Sequence, residues 1–353
     1  MDTVWLKLPE TEIVGVADPD ATGLAKELAK LKLAPDRGFP DYRAMLDKLK
    51  PELVAVCPRH VDQHRDMIVA AIEAGAKGIY TEKPLCRTPA EADEIRAACR
   101  KHGARIAVGH RNRYHPALDE VRHLIEAGNL GRILEIRGRG KEDRRGGAED
   151  LWVLGAHVLN LTHHFGGAPR SCSAILLRDS RPVTAADVVE GAEGLGPLAG
   201  NEVHARYEMA SGVTAYFDSI ASDGKSSGFG LQIIGTEGII QVQCDCEPLV
   251  YFIPGNPFAP GRDPRPWIPI HAAGPGVEAS DDERKEVTQI QEHIIPVRDL
   301  IAACASEREP LCGLDEAATT VEMICAVFES HRQEGRAVTF PLAERGNALK
   351  KLV

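Results

Sequence analysis

Three short stretches hold residue types that could do chemistry. "EIVGVADPD" (12–20) is an apolar run that closes on Asp18 and Pro19. "YTEKPL" (80–85) sets Lys83 between Glu82 and Pro84. "GAHVLNLTHH" (155–164) places His157 in a helical pattern. A carboxylate ending a strand can bond the hydroxyls of a ribose, although Asp-Pro is also a common turn dipeptide. A lysine just past a strand would stand at the carboxyl end of a parallel sheet, where such sheets bind ligands. Its ammonium can polarise an oxygen on which charge is developing. An imidazole titrating near ~6.5 can take up the proton that such an oxygen releases.

The elements that must position these residues alternate up to about residue 110. The apolar and polar spacing predicts strands over 13–17, 53–57, 78–81 and 105–109, and helices over 22–33, 42–49 and 61–74. Thr88-Pro89-Ala90-Glu91 reads as an N-cap, a first-turn proline and a capping-box glutamate opening another helix that Gly103 ends. Such alternation means parallel strands joined by crossover helices. After residue 116 the rhythm changes. A helix over 117–127 leads into longer two-period strands at 173–177, 203–208, 213–219, 231–235 and 239–243, with "GTEG" (235–238) as a hairpin turn. Helices near 294–307 and 315–334 close the chain, and 180–202 and 254–282 read as long loops. The expected fold class is α/β. A parallel Rossmann-type nucleotide-binding domain (1–116) precedes an α+β domain (117–353) with a large open, mainly antiparallel sheet for substrate binding and oligomerisation.

Composition narrows the function classes. With 353 residues, 43% hydrophobic and 27% charged, the chain has the make-up of a globular protein with two cores. A net charge of −10 without a basic block leaves no footprint for nucleic acid or an anionic membrane. No apolar run approaches the ~20 residues that span a bilayer. Nine scattered cysteines fit a reducing, cytoplasmic compartment. Cys244-Asp245-Cys246 would put two thiols on one strand face, but no second pair at zinc spacing accompanies it, so no metal is expected.

Four ordered segments carry a resemblance. "VAVCPRHVDQHRDMIVAAIEAGAKGIYTEKPL" (54–85), "RNRYHPALDEVRHLIEAGNLGRI" (111–133), "GAHVLNLTHHFGG" (155–167) and "LQIIGTEGIIQV" (231–242) together resemble the Gfo/Idh/MocA oxidoreductases. The resemblance implies hydride transfer from a secondary hydroxyl of a sugar, inositol or related polyol to NAD, with Lys83 and His157 steering the proton. It implies cofactor contacts from Asp18, Cys57, Pro58, His60, His64, Glu82, Lys83, Pro84 and Asn112. It places Asp150, Asn160 and Arg113 at the substrate pocket, and a homodimer or homotetramer built on the sheet. Asp18 favours NAD, because a carboxylate repels the 2′-phosphate of NADP. The resemblance also permits an NAD-assisted glycosidase or epimerase using transient oxidation. A noncatalytic sugar sensor or a remnant stands as the reading from outside catalysis.

The chain departs from the family pattern in two places. Aspartates expected one helical turn before His157 and three residues after it are Val153 and Asn160. Asp150 lies on roughly the same helical face as His157 but about 10 Å away along the axis, so it could line the pocket without bonding the imidazole. The second departure lies upstream. A dinucleotide fingerprint sets its acid ~20 residues after the glycine loop, and counting back from Asp18 puts those glycines at or before residue 1. The first strand, the glycine loop and most of the first helix are therefore absent from the sequence, with "DTVWLKL" (2–8) reading as that helix's last turns. A start codon assigned too late explains this more simply than a truncated copy. Without the backbone N–H groups that hold a pyrophosphate, the 353-residue chain is expected to bind NAD weakly. Calorimetric titration checks this, and tight one-to-one binding would overturn it.

Overall fold

The computed structural model describes residues 4–223, 228–259, 261 and 264–352. The first part alternates as its spacing predicts, except that β2 was not expected and the strand expected over 13–17 narrows to Val16–Ala17: β1 (Val16–Ala17), α1 (Ala21–Leu31), β2 (Gly38–Phe39), α2 (Tyr42–Leu49), β3 (Leu53–Val56), α3 (His64–Glu73), β4 (Gly78–Thr81), α4 (Pro89–His102) and β5 (Arg105–Val108). Thr88 caps α4 by accepting from the Glu91 N–H at 3.2 Å. The capping-box glutamate does not reach back to Thr88. It accepts from the Arg87 N–H at 2.8 Å and pairs with the Arg87 guanidinium.

These strands form two parallel sheets, β1–β2 and β3–β4–β5. Among the described residues no strand pairs with both β1 and β3. The consequence shows in burial: Ile13, Val14, Val16 and Ala17 are only half-buried, while Ile79 and Tyr80 of β4 are fully buried. "VWLKL" forms a short 3-10 turn (Trp5–Lys7) rather than helical turns, and Asp2 and Thr3 lie outside the described residues. Val4 and Leu8 beside that turn pack on Tyr80 and Ala107 together with Ile294, Val297 and Leu300. A helix from the end of the chain thus covers one face of the nucleotide-type sheet.

The second part continues with α5 (Ala117–Glu126), β6 (Ile133–Arg139), α6 (Ala148–Val153), α7 (Gly155–Gly166), β7 (Pro169–Arg178), β8 (Arg181–Pro182), β9 (Val189–Glu190), β10 (Pro197–Leu198), β11 (Glu202–Met209) and β12 (Thr214–Ile220). β13 (Gly230–Gly235), β14 (Gly238–Gln243), β15 (Val250–Pro254), β16 (Ile268–His271), β17 (Gly274–Pro275), α8 (Asp281–Gln291), α9 (Ile294–Ser306), α10 (Leu314–Arg332) and β18 (Val338–Thr339) complete it. Among the described residues one sheet gathers eleven of these strands, in the order β17-β16-β15-β14-β13-β6-β12-β11-β7-β18 with β8 beside β7. All its pairings are antiparallel except β6 with β12. The β13–β14 hairpin turns at "GTEG", with Ile234 opposite Ile239. The two stretches expected as long loops hold short strands instead: β8, β9 and β10 in one, and the end of β15 with β16 and β17 in the other. Pairs this short, rich in glycine and proline, leave little period to read; Pro260, Arg262 and Asp263 lie outside the described residues. Cys244 and Cys246 do not share a strand face. β14 ends at Gln243, the chain turns through Asp245 at φ 58°, and Cys244 is buried while Cys246 is exposed.

α6 and α7 are separate helices, broken at Leu154. Their seat on the sheet depends on glycines. A Cβ on Gly155 would lie 2.7 Å from the Phe217 ring, and one on Gly146 would lie 2.1 Å from the backbone nitrogen of Ala221. The second contact is with main chain, which cannot rotate away. Gly146→Ala should therefore lower stability by about 1–3 kcal/mol through overpacking, read from the midpoint of denaturant unfolding. An unchanged midpoint would contradict this placement of α6.

Candidate active site

A cleft of about 360 Å³ opens where the carboxyl ends of β3 and β4 face α6. Cys57, Pro58 and Arg59 line it from the first strand end, Glu82, Lys83 and Pro84 from the second. Val153 closes it from α6, and Glu193 and Leu195 from the loop between β9 and β10. Two strand ends of a parallel sheet lie side by side, so the turns after them share one edge. His64 locks these turns together. Its Nδ1 lies 2.9 Å from the Pro84 carbonyl and its Nε2 lies 3.2 Å from the Pro58 carbonyl.

Lys83 is half-buried in the cleft, and its Nζ donates to the Val153 carbonyl at 2.5 Å. Glu82 accepts from the Lys83 backbone N–H at 3.1 Å. Burial pulls the Lys83 ammonium below its usual 10.5, against the opposing charges of Glu82, Asp245 and Glu193. The position where the resemblance leads one to expect an aspartate side chain thus supplies a backbone oxygen instead.

His157 lies one turn beyond Val153 on α7 and is buried, not on the cleft wall. Its ring meets that of His110 edge-on, with centroids 5.3 Å apart and planes at 84°. Nδ1 of each is buried without a hydrogen-bond partner. Burial, then the charge of Lys83, holds His157 well below its usual 6.5, so it is neutral at pH 7. His110 follows β5 as Lys83 follows β4, and that repeated placement at a strand end is the signal by which the sequence could have revealed it.

The three residues expected at the substrate pocket do not line the cleft. The axial separation estimated for Asp150 assumed a continuous helix, which the break at Leu154 removes. Asp150 turns to the large sheet, where Oδ2 accepts from Ser219 Oγ at 2.7 Å and from the Glu142 N–H at 3.1 Å. Arg113 pairs with Glu316 at 2.8 Å and donates to Asn160 at 3.4 Å. Asn160 in turn donates to Thr320 at 3.1 Å. This buried network ties α7 to α10, so Arg113 and Asn160 hold the helix that carries His157.

Of the expected cofactor residues, Cys57, Pro58, His64, Glu82, Lys83 and Pro84 share the cleft. His60 is exposed beside it. Asn112 borders a separate hollow of about 30 Å³ with Arg111 and Asp245. Asp18 ends β1, and its Oδ1 accepts from the Asp20 N–H at 2.8 Å. Arg59, Glu193 and the Val153 carbonyl were not legible in advance. A backbone oxygen leaves no trace in residue type, and Glu193 sits in a segment without periodicity. No group of three His, Cys, Asp or Glu side chains suited to a metal occurs among the described residues.

Comparison with known proteins finds a family for the nucleotide-type part. Residues 3–110 match the model of the oxidoreductase family with an NAD-binding Rossmann fold, GFO_IDH_MocA. The chain is 27% identical over 259 residues to levoglucosan dehydrogenase of Pseudarthrobacter phenanthrenivorans, a match covering 66% of this chain and 65% of that one. It is also 27% identical over 244 residues to scyllo-inositol 2-dehydrogenase (NAD(+)) of Bacillus subtilis, covering 66% of each. Residues 3–110 thus match the NAD-binding part of the Gfo/Idh/MocA oxidoreductases. Its matches span just under two thirds of those relatives' lengths. A solved levoglucosan dehydrogenase in complex with NADH shares the fold at a TM-score of 0.72 and 19% identity, covering 97% of this chain and 95% of that one.

NAD is the cofactor that this Gfo/Idh/MocA fold takes, and the residues present fit one end of it better than the other. The cleft beside Lys83 offers a carboxylate, an ammonium and apolar walls, and Asp18 offers a carboxylate at the end of β1. Among the described residues no glycine-rich turn links a strand to a helix ahead of β1, so they include no cradle for the pyrophosphate.

Seven imidazoles are held below their usual 6.5, each mainly by burial: His64, His110, His157, His163, His164, His293 and His331. Burial also opposes charge on His204, but the Glu202 and Asp218 carboxylates outweigh it and raise that one group. Below about pH 6.5 the unfolded chain binds protons that the seven refuse, so stability falls as pH falls. Each costs up to about 1.4 kcal/mol per pH unit below that point. The urea midpoint is expected to drop between about pH 7.5 and about pH 5.5. A flat or rising midpoint would contradict these burials.

Proposed function

We propose that the chain is an NAD-dependent oxidoreductase that removes hydride from a secondary hydroxyl of a sugar, inositol or related polyol. One observation carries the reading: the Lys83 ammonium, bonded to the Val153 carbonyl on the wall of the cleft at the strand ends. The printed activities of the relatives, on levoglucosan and scyllo-inositol, support the substrate class. Bound NAD supplies the hydride acceptor. Cys57, Pro58, Glu82 and Pro84 would flank it, with Asp18 on the ribose.

This chain's own residues handle the proton. Lys83 stabilises negative charge on the hydroxyl oxygen as the carbon–hydrogen bond breaks. Its lowered affinity for a proton, set by burial, brings it closer to the working pH than a solvated lysine. His157 is neutral at pH 7 and has an unpaired Nδ1, so it can accept a proton. The apolar walls given by Val153 and Leu195 restrict water. The nine free cysteines fit a cytoplasmic setting. The broad sheet offers a surface for a homodimer or homotetramer. No described helix is long and apolar enough to cross a membrane.

Lys83→Ala is expected to lower kcat for polyol oxidation by about 10²–10⁴-fold. Oxidation needs His157 neutral, so the rate should fall with acid only below pH 6.5, and His157→Asn should abolish that acid limb. Rates of NADH formation across pH check both. Full activity in Lys83→Ala, or an intact limb in His157→Asn, would overturn these roles.

A further inference from the structure

The segment between β9 and β10 reaches across the cleft. Its base is a short antiparallel pair, Pro197 opposite Glu190 and Leu198 opposite Val189, closed by the Gly191 N–H on the Gly196 carbonyl at 2.8 Å. Its tip touches the nucleotide-type part so closely that a Cβ on Gly194 would lie 2.5 Å from Asp62 Oδ1. Glu193, beside it, holds φ 54°, a left-handed conformation that costs a non-glycine residue energy and draws attention to function where it persists. Its carboxylate accepts from Arg59 Nε at 3.0 Å, from one wall of the cleft to the other. Both partners keep solvent contact, so the pair is weak enough for a ligand to compete with it.

Charge then decides what the cleft accepts. Arg59 and Lys83 are its two cations, and Glu82 and Glu193 its two carboxylates, so the formal charges of the lining cancel. Glu82 is engaged by the Lys83 backbone N–H, whereas Glu193 pairs with an exposed arginine. We propose that Glu193 is a specificity-determining residue, which balances Arg59 so that the cleft selects neutral polyols over sugar acids. This inference rests on the reading of the cleft as a polyol oxidoreductase site. It adds a residue, and a ligand charge, that the reading does not contain. An anionic sugar would meet the Glu193 carboxylate at the rim. A neutral diol can instead donate hydroxyl hydrogens to it. The charge of Glu193 is also felt by Lys83 and by Glu149 of α6, which places it beside the reacting end of the cleft.

The test compares myo-inositol with D-gluconate as substrates and as calorimetric ligands, using the full chain with NAD. Glu193→Gln leaves the lining one positive charge in excess. It should raise the gluconate-to-inositol ratio of kcat/KM, and of binding constants, by about ten-fold at low salt, and the gain should shrink as salt rises. Arg59→Gln should move both ratios the opposite way. Thermal unfolding of each variant should stay at the wild-type midpoint, since both side chains lie at the surface. Wild-type turnover of inositol with ratios unmoved by both substitutions would overturn the role of Glu193 and leave the oxidoreductase reading standing. Absence of turnover and of binding for every polyol in the wild type would instead overturn that reading, and this inference with it.

Discussion

A half-buried ammonium must find a partner, and in this fold Lys83 finds the carbonyl of Val153. An ammonium taken out of water without compensation is costly, so it either loses its proton or is hydrogen-bonded. The bond crosses from the end of β4 to the end of α6, and much of the surrounding structure serves to bring those two points together. His64 clamps the turns after β3 and β4. Gly146 and Gly155 let α6 and α7 lie against the large sheet. The break at Leu154 frees the Val153 carbonyl from an unbroken helical ladder, where it would otherwise accept an N–H from the next turn.

Behind this bond lie two buried imidazoles. His157 and His110 meet edge to face with an unpaired nitrogen each, and Arg113, Asn160, Glu316 and Thr320 secure the helix beneath them. Polar groups buried without partners are rare in proteins, and each calls for an explanation. In the network around Asn160 the amide is paired on both sides while Arg113 Nε is buried without a partner, and each imidazole leaves its Nδ1 unpaired.

Much of this was legible in the sequence, for physical reasons. The alternation from Val16 to Val108 survives because buried parallel strands and amphipathic helices impose strong periods. Lys83 was legible because a strand end and a following proline fix where it stands. Residues expected at the pocket by position along one helix, Asp150 above all, were misplaced because a single kink at Leu154 redirects the side chains before it. The strands at 181–198 and 268–275 were missed because pairs of two to four residues carry almost no pattern. The carbonyl of Val153 could not be anticipated, since every residue type has one. The edges left open at β1 and β3 follow the expected lack of a strand that pairs with both, and they show as half-burial of the apolar run before Asp18.

The central claim is that Lys83 is a desolvated ammonium poised on the Val153 carbonyl at the place where a polyol reacts. The most direct test is a nitrogen-15 NMR titration of the Lys83 side chain, with and without NAD and myo-inositol. The account predicts titration below 10.5 in the protein alone, and a further shift when polyol and cofactor are both present. A Lys83 that titrates at the ordinary lysine value and ignores both ligands would contradict it.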